Sequence, residues 1–88
     1  MTRTINKLTN QEIRAAAYPN EPSKLFDGGG LYLHIQKGGK YWRMKYRFAK
    51  KERLLAFGVY SEVSLKEARQ CRDEARELLT KKIDPNHQ

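Results

Sequence analysis

Cysteine is almost missing from these 88 residues: Cys71 stands alone, which excludes a disulfide framework and a thiolate zinc site. Histidine is nearly as scarce. His34 and His87 lie far apart and neither is an obvious partner for the thiol, so Cys71 reads as a small residue near the buried side of a helix rather than a nucleophile. No apolar run approaches the roughly 20 residues a membrane-spanning helix needs, and the opening MTRTINKL lacks the apolar core of a secretory signal. An intracellular, cytoplasmic protein with no membrane partner is expected. No paired carboxylates and no Ser, His and Asp signature are present, so no enzyme activity, cofactor, metal or small-molecule ligand is expected. Acids are the minority charge, 10 against 18 Lys and Arg, and the net charge of +8 with a pI near 9.8 points to a polyanionic partner or an anionic membrane surface, between which charge alone does not choose. The length allows one small domain.

What is present is concentrated between Asp27 and Gly58. The stretch DGGGLYLHIQKGGKYWRMKYRFAKKERLLAFG alternates apolar and polar residues and is broken by two turn signals. It predicts three short antiparallel strands. A loop formed by Gly38-Gly39 would set Ile35 opposite Trp42, Leu33 opposite Met44 and Leu31 opposite Tyr46. A second loop centred on Lys50-Lys51 would set Phe48 opposite Arg53, Tyr46 opposite Leu55 and Met44 opposite Phe57. Apolar positions then coincide, and a one-residue slip would reverse every side chain. The inner face carries Leu31, Leu33, Ile35, Trp42, Met44, Tyr46, Phe48, Leu55 and Phe57; the outer face carries Tyr32, His34, Gln36, Tyr41, Arg43, Lys45, Arg47, Leu54 and Ala56. From Gln36 to Leu54 the basic residues face the single acid Glu52. A solvated face, which is the ordinary fate of an antiparallel sheet's outer side, would mix its signs.

Residues 1–8 read as a flexible basic arm. Thr9 and Glu12 form a capping box for a short helix with Ile13 and Ala16 or Ala17 on its apolar side. Pro19 ends it, Tyr18 to Ser23 is a loop, and Lys24-Leu25-Phe26 is a brief extended piece. Asp27-Gly28-Gly29-Gly30 is a tight turn or bulge, not a phosphate cradle, because Leu31 begins a strand instead of a helix. Ser64 and Glu67 make a second capping box for a helix from about Leu65 to Lys82. Its stripe of Leu65, Ala68, Cys71 or Arg72, Ala75, Leu78 and Leu79 covers the sheet, with Trp42 the central contact. Lys66, Arg69, Asp73, Glu74, Arg76 and Glu77 form its solvated side. The fold class is α+β: a three-stranded antiparallel meander packed on one C-terminal helix, with a short N-terminal helix. The domain spans 9–83, and 84–88 reads as the start of a linker in a longer protein.

The segments LTNQEIRAA, KLFDGGGLYLHI, KYWRMKYRF and LAFGVYSEVSLKEARQCRDEAREL followed by IDP, in that order, resemble the N-terminal arm-type DNA-binding domain of prophage and genomic-island tyrosine recombinases. The resemblance runs from about Leu8 to Pro85. It implies a phage-encoded or bacterial integrase module that grips arm-type sites during DNA integration and recombination, with core-binding and catalytic domains elsewhere in the chain. It also implies a sheet laid in the major groove, a core containing Trp42, Tyr46, Leu65 and Ala68, and outward residues at the DNA. The catalytic Arg, His and Tyr set of that family has no counterpart here.

The expected partner is double-stranded DNA, with other integrase protomers in the full assembly. Lys37, Lys40, Lys45, Lys50 and Lys51 are expected at phosphates, Arg43, Arg47, Gln36 or His34 at base edges, and Tyr41 at the DNA as a surface platform. Two alternatives stand beside this one: single-stranded RNA stacked on Tyr32 and Tyr41, and a protein-interaction module using the sheet edge or Leu54 and Ala56.

Overall fold

The structure, a computed structural model, describes residues 6–86. The first five residues of the expected arm, and His87 and Gln88 of the expected linker, lie outside the described residues. Helix α1 (Asn10–Ala15) is followed by strands β1 (Lys24–Gly28), β2 (Leu31–Gln36), β3 (Gly39–Phe48) and β4 (Lys51–Tyr60), then helix α2 (Leu65–Thr80). The strands form one sheet in the order β1-β2-β3-β4, every neighbouring pair antiparallel.

The expected three strands are therefore four. Lys24, Leu25 and Phe26 pair with His34, Leu33 and Tyr32, and the chain turns through Gly29-Gly30. Both turn glycines have positive φ, +66° and +92°, the backbone that a tight primed hairpin demands. Asp27 is the extra residue of a bulge between Phe26 and Gly28.

Both later hairpins pair two residues away from the expected register. Gln36 meets Gly39 across a Lys37-Gly38 loop, so Leu33 lies opposite Trp42 and Leu31 opposite Met44. Phe48 meets Lys51 across Ala49-Lys50, so Tyr46 lies opposite Arg53 and Met44 opposite Leu55. An even shift preserves facing, because side chains alternate with period two. Glycines 38 and 39 serve another need: a Cβ on either would lie 3.3 or 3.4 Å from the Tyr41 hydroxyl, whose ring folds back over the turn. Phe57 is the extra residue of a bulge opposite Trp42 and Arg43, and it stays against the core.

The covered face is as expected. Leu31, Leu33 and Trp42 are fully buried, with Ile35, Met44 and Tyr46 nearly so. α2 brings Leu65, Ala68 and Ala75 against them. Trp42 also donates its indole N–H to the Val63 carbonyl at 2.8 Å. Both capping boxes form, Thr9 with Glu12 and Ser64 with Glu67. α2 stops at Thr80, two residues before the expected end. Lys82 has φ +62°, and the amides of Lys82 and Ile83 donate to the carbonyls of Leu79 and Leu78, a Schellman closure.

Packing also takes in residues on either side of 9–83. Leu8, assigned to the flexible arm, is 6 % exposed in the main core. Asp84, assigned to the linker, accepts the Tyr46 hydroxyl at 2.5 Å, and Pro85 is buried. Burial and then this hydrogen bond push the Tyr46 phenol up to about 12.

Candidate nucleic-acid interface

Directly paired residues of an antiparallel sheet project to the same side. The face opposite Trp42 therefore carries Lys24 and Phe26 on β1, Tyr32, His34 and Gln36 on β2, Tyr41, Arg43, Lys45 and Arg47 on β3, and Glu52, Leu54 and Ala56 on β4. α2 packs on the other side, so this surface has no protein cover among the described residues.

Its centre is ordered by hydrogen bonds. Gln36 Nε2 and Arg43 Nη1 lie 3.0 and 3.3 Å from His34 Nδ1. An amide N–H₂ and a guanidinium only donate, so Nδ1 accepts and the ring proton of neutral His34 sits on Nε2. Burial, then the charges of Arg43 and Lys24, hold the imidazole below its usual pKa of 6.5. The Arg43 guanidinium also lies 5.7 Å from the Tyr41 ring centre. Arg43 and Gln36 are thus positioned before any ligand arrives.

The rest of the charge surrounds this centre. Lys37 is exposed at the β2–β3 turn, and Arg47, Lys50 and Lys51 are exposed around the β3–β4 tip. Lys45 is exposed and lies 3.7 Å from Glu52, a solvent-screened pair worth about 0–1 kcal/mol. Lys40 stands apart from the other expected residues. It shares the parity of Trp42, donates to the Ile13 carbonyl at 2.7 Å and lies 6.0 Å from the Tyr60 ring. Its ammonium fastens α1 to the covered side of the sheet.

Tyr32 differs from the expected surface platform. It is on the open face but only 4 % exposed, its ring 5.4 Å from Phe26 and 6.4 Å from His34. Cys71 is half-buried as expected, and burial, with the charges of Glu74 and Glu67, pushes its thiol up and away from reactivity.

Sequence reasoning missed the charged cluster that fixes the sheet to the rest of the fold. Asp27 is fully buried and accepts from the Leu8 amide at 2.8 Å, from Arg69 Nε and Nη2 at 2.9 and 2.8 Å, and from Arg72 Nη1 at 3.0 Å. Arg69, expected on the solvated side of α2, also donates to the Leu8 carbonyl, and Arg72 to Asn6. Burial alone would raise the Asp27 carboxyl; the Arg69 hydrogen bond, the Leu8 amide and the charges of both arginines outweigh it and hold the pKa below 3.8. The available signal was Arg72 itself, an arginine in phase with an apolar stripe.

An antiparallel sheet buried by a helix on one side and basic and hydrogen-bonding on the other is the build of a small polyanion-binding module. Comparison with known proteins makes it specific. The family model described as "Arm DNA-binding domain" matches residues 8–88, and the chain belongs to that family of DNA-binding domains. It is 51 % identical over 82 residues to the integrase of Enterobacteria phage P4, covering 90 % of this chain and 19 % of that protein. It is 41 % identical over 88 residues to the prophage integrase IntA of Escherichia coli (strain K12), covering 97 % of this chain and 21 % of that protein. The integrase of Shigella phage Sf6 is 39 % identical over 79 residues, covering 89 % and 20 %. The chain thus spans about one fifth of the length of the curated relatives it matches. Among the described residues, no helix is long and apolar enough to cross a membrane.

Proposed function

We propose that this chain is the arm-site-binding module of a site-specific integrase of the tyrosine recombinase class, and that it lays the open face of its sheet into the major groove of duplex DNA. The observation that carries this reading is the Gln36–His34–Arg43 network. It holds a fork of donors and an amide on the uncovered face, framed by exposed cations. The major groove is roughly 12 Å wide and accepts a two-stranded β-ribbon, which here is β2 and β3.

Phosphates are met by Lys37, Lys45, Lys50 and Lys51, which supply affinity without sequence information. Base edges are met by Arg43, Arg47, Gln36, Tyr41 and the Nε2–H of His34, with Arg suited to guanine. Lys40 is left out of the contact set because its donors serve Ile13. The chemistry of strand exchange belongs to other parts of the whole recombinase, whose other protomers and cytoplasmic setting follow from the same reading.

Burial of Tyr32 removes one of the two stacking platforms that single-stranded RNA would use, which favours duplex. Footprinting of the protein on the ends of its own mobile element tests the proposal. Protection of short repeats outside the crossover site is expected; uniform, sequence-blind protection, or stronger binding to single-stranded RNA at equal salt, would overturn it.

A further inference from the structure

β1 extends the open face by one strand, and it brings an exposed apolar side chain. Phe26 is 62 % exposed. We infer that Phe26 is a specificity-determining residue whose ring contacts the C5-methyl group of a thymine in the same stretch of groove as the base pair met by Arg43. The inference rests on the sheet-in-groove reading above.

Three observations lead to it. Phe26 pairs with Tyr32, Tyr32 with Arg43 and Arg43 with Ala56, so Phe26 and Arg43 lie in one cross-strand row and project to the same side. Two strand spacings separate them by roughly 10 Å, within the roughly 12 Å width of the major groove. The ring is also supported from beneath. It leans on Tyr32 at 5.4 Å with a 41° tilt, Tyr32 is itself buried, and Lys24 Nζ lies 5.6 Å above the Tyr32 ring. The presented edge is therefore set by the sheet and not by a loop.

The chemistry then narrows the target. A phenyl ring offers no hydrogen-bond donor or acceptor, and the most prominent apolar group on the floor of the major groove is the thymine methyl. A core role is excluded, because Phe26 faces away from Trp42. Lys24, next to it on the same face, suits the adjacent phosphate.

The test deletes the methyl from the DNA and leaves the protein intact. A duplex enriched by the 88-residue chain from a random library is remade with deoxyuridine in place of thymidine, one position at a time. One substitution should weaken binding by about fourfold, the worth of one buried methylene-sized group, and Phe26→Ala should bind the thymidine and deoxyuridine duplexes equally. Phe26→Leu, which keeps an apolar side chain over Tyr32, should retain part of the discrimination. If sequences are enriched but no position responds, or if Phe26→Ala keeps the response, the inference fails and the sheet-in-groove reading stands. If no sequence is enriched, both fail.

Discussion

Arg72 places its Nη1 3.0 Å from Oδ2 of Asp27, with both side chains withdrawn from solvent. One carboxylate thereby joins the β1–β2 hairpin, the chain at Leu8 and two successive turns of α2. Removing one partner of such a buried pair costs about 3–5 kcal/mol, because the other charge stays buried. Asp27→Asn is expected to lose stability on that scale in denaturant titration.

The same carboxylate sets the acid limit of the fold. Its folded pKa lies below 3.8, so its stabilisation is fully present above that value and is lost as pH falls from there through the folded pKa. Chemical denaturation measured between pH 6 and pH 3 should show stability falling at the acid end, more steeply than in Asp27→Asn.

The salt dependence of DNA binding counts the phosphate contacts. Five lysines would give a slope of log affinity against log salt near −4.5, at roughly −0.9 per contact; without Lys40 it is near −3.6. Lys40→Met should leave the slope unchanged and lower the melting temperature, since it removes the bond to Ile13. Arg43→Ala should reduce discrimination by about 1–3 kcal/mol at one base pair, with little change on random duplex.

His34 is expected to couple discrimination to pH. At pH 7 the ring is neutral, and Nδ1 accepts from Gln36 and Arg43. Protonation turns that acceptor into a donor among the positive charges of Lys24 and Arg43, with Tyr32 and Tyr41 the remaining neighbours. Lowering the pH well below 6.5 should therefore tighten binding to random duplex and shrink the preference for the selected site. His34→Ala should show a preference independent of pH in parallel fluorescence titrations.

The β3–β4 turn carries strain that can be relieved. Ala49 and Lys50 have φ of 52° and 67°, and a non-glycine residue there costs roughly 1–2 kcal/mol. Ala49→Asn combined with Lys50→Gly should stabilise the fold by about 1 kcal/mol in thermal unfolding. The same pair should make the salt slope shallower by about 0.9 if Lys50 touches a phosphate.

The alternation around Trp42 and Arg43 was enough to separate the two faces, and the spacing of Thr9 from Glu12 and of Ser64 from Glu67 marked both helix starts. β1 was not legible as a strand because in Lys24-Leu25-Phe26 only Leu25 faces the core. A strand held by its backbone ladder and a glycine turn leaves little apolar periodicity to read. The turns slipped by one residue, and the pairing by two, because hydrophobic matching scores either register alike, and the Ala49-Lys50 turn has no glycine to mark it. The Asp27 cluster joins residues 42 and 45 positions apart, and no local pattern encodes such a pairing.

The even offset of the hairpins leaves this module open to changes of length. Four residues added at the tip of β3 and β4, two to each arm, would carry the terminal lysines about 6.6 Å further out on the same face, while Arg43 keeps its place above Tyr41 and Trp42 its place beneath α2. On the proposed sheet-in-groove reading, reach along the sugar-phosphate rail and choice of sequence are thus separate variables, adjustable one without disturbing the other.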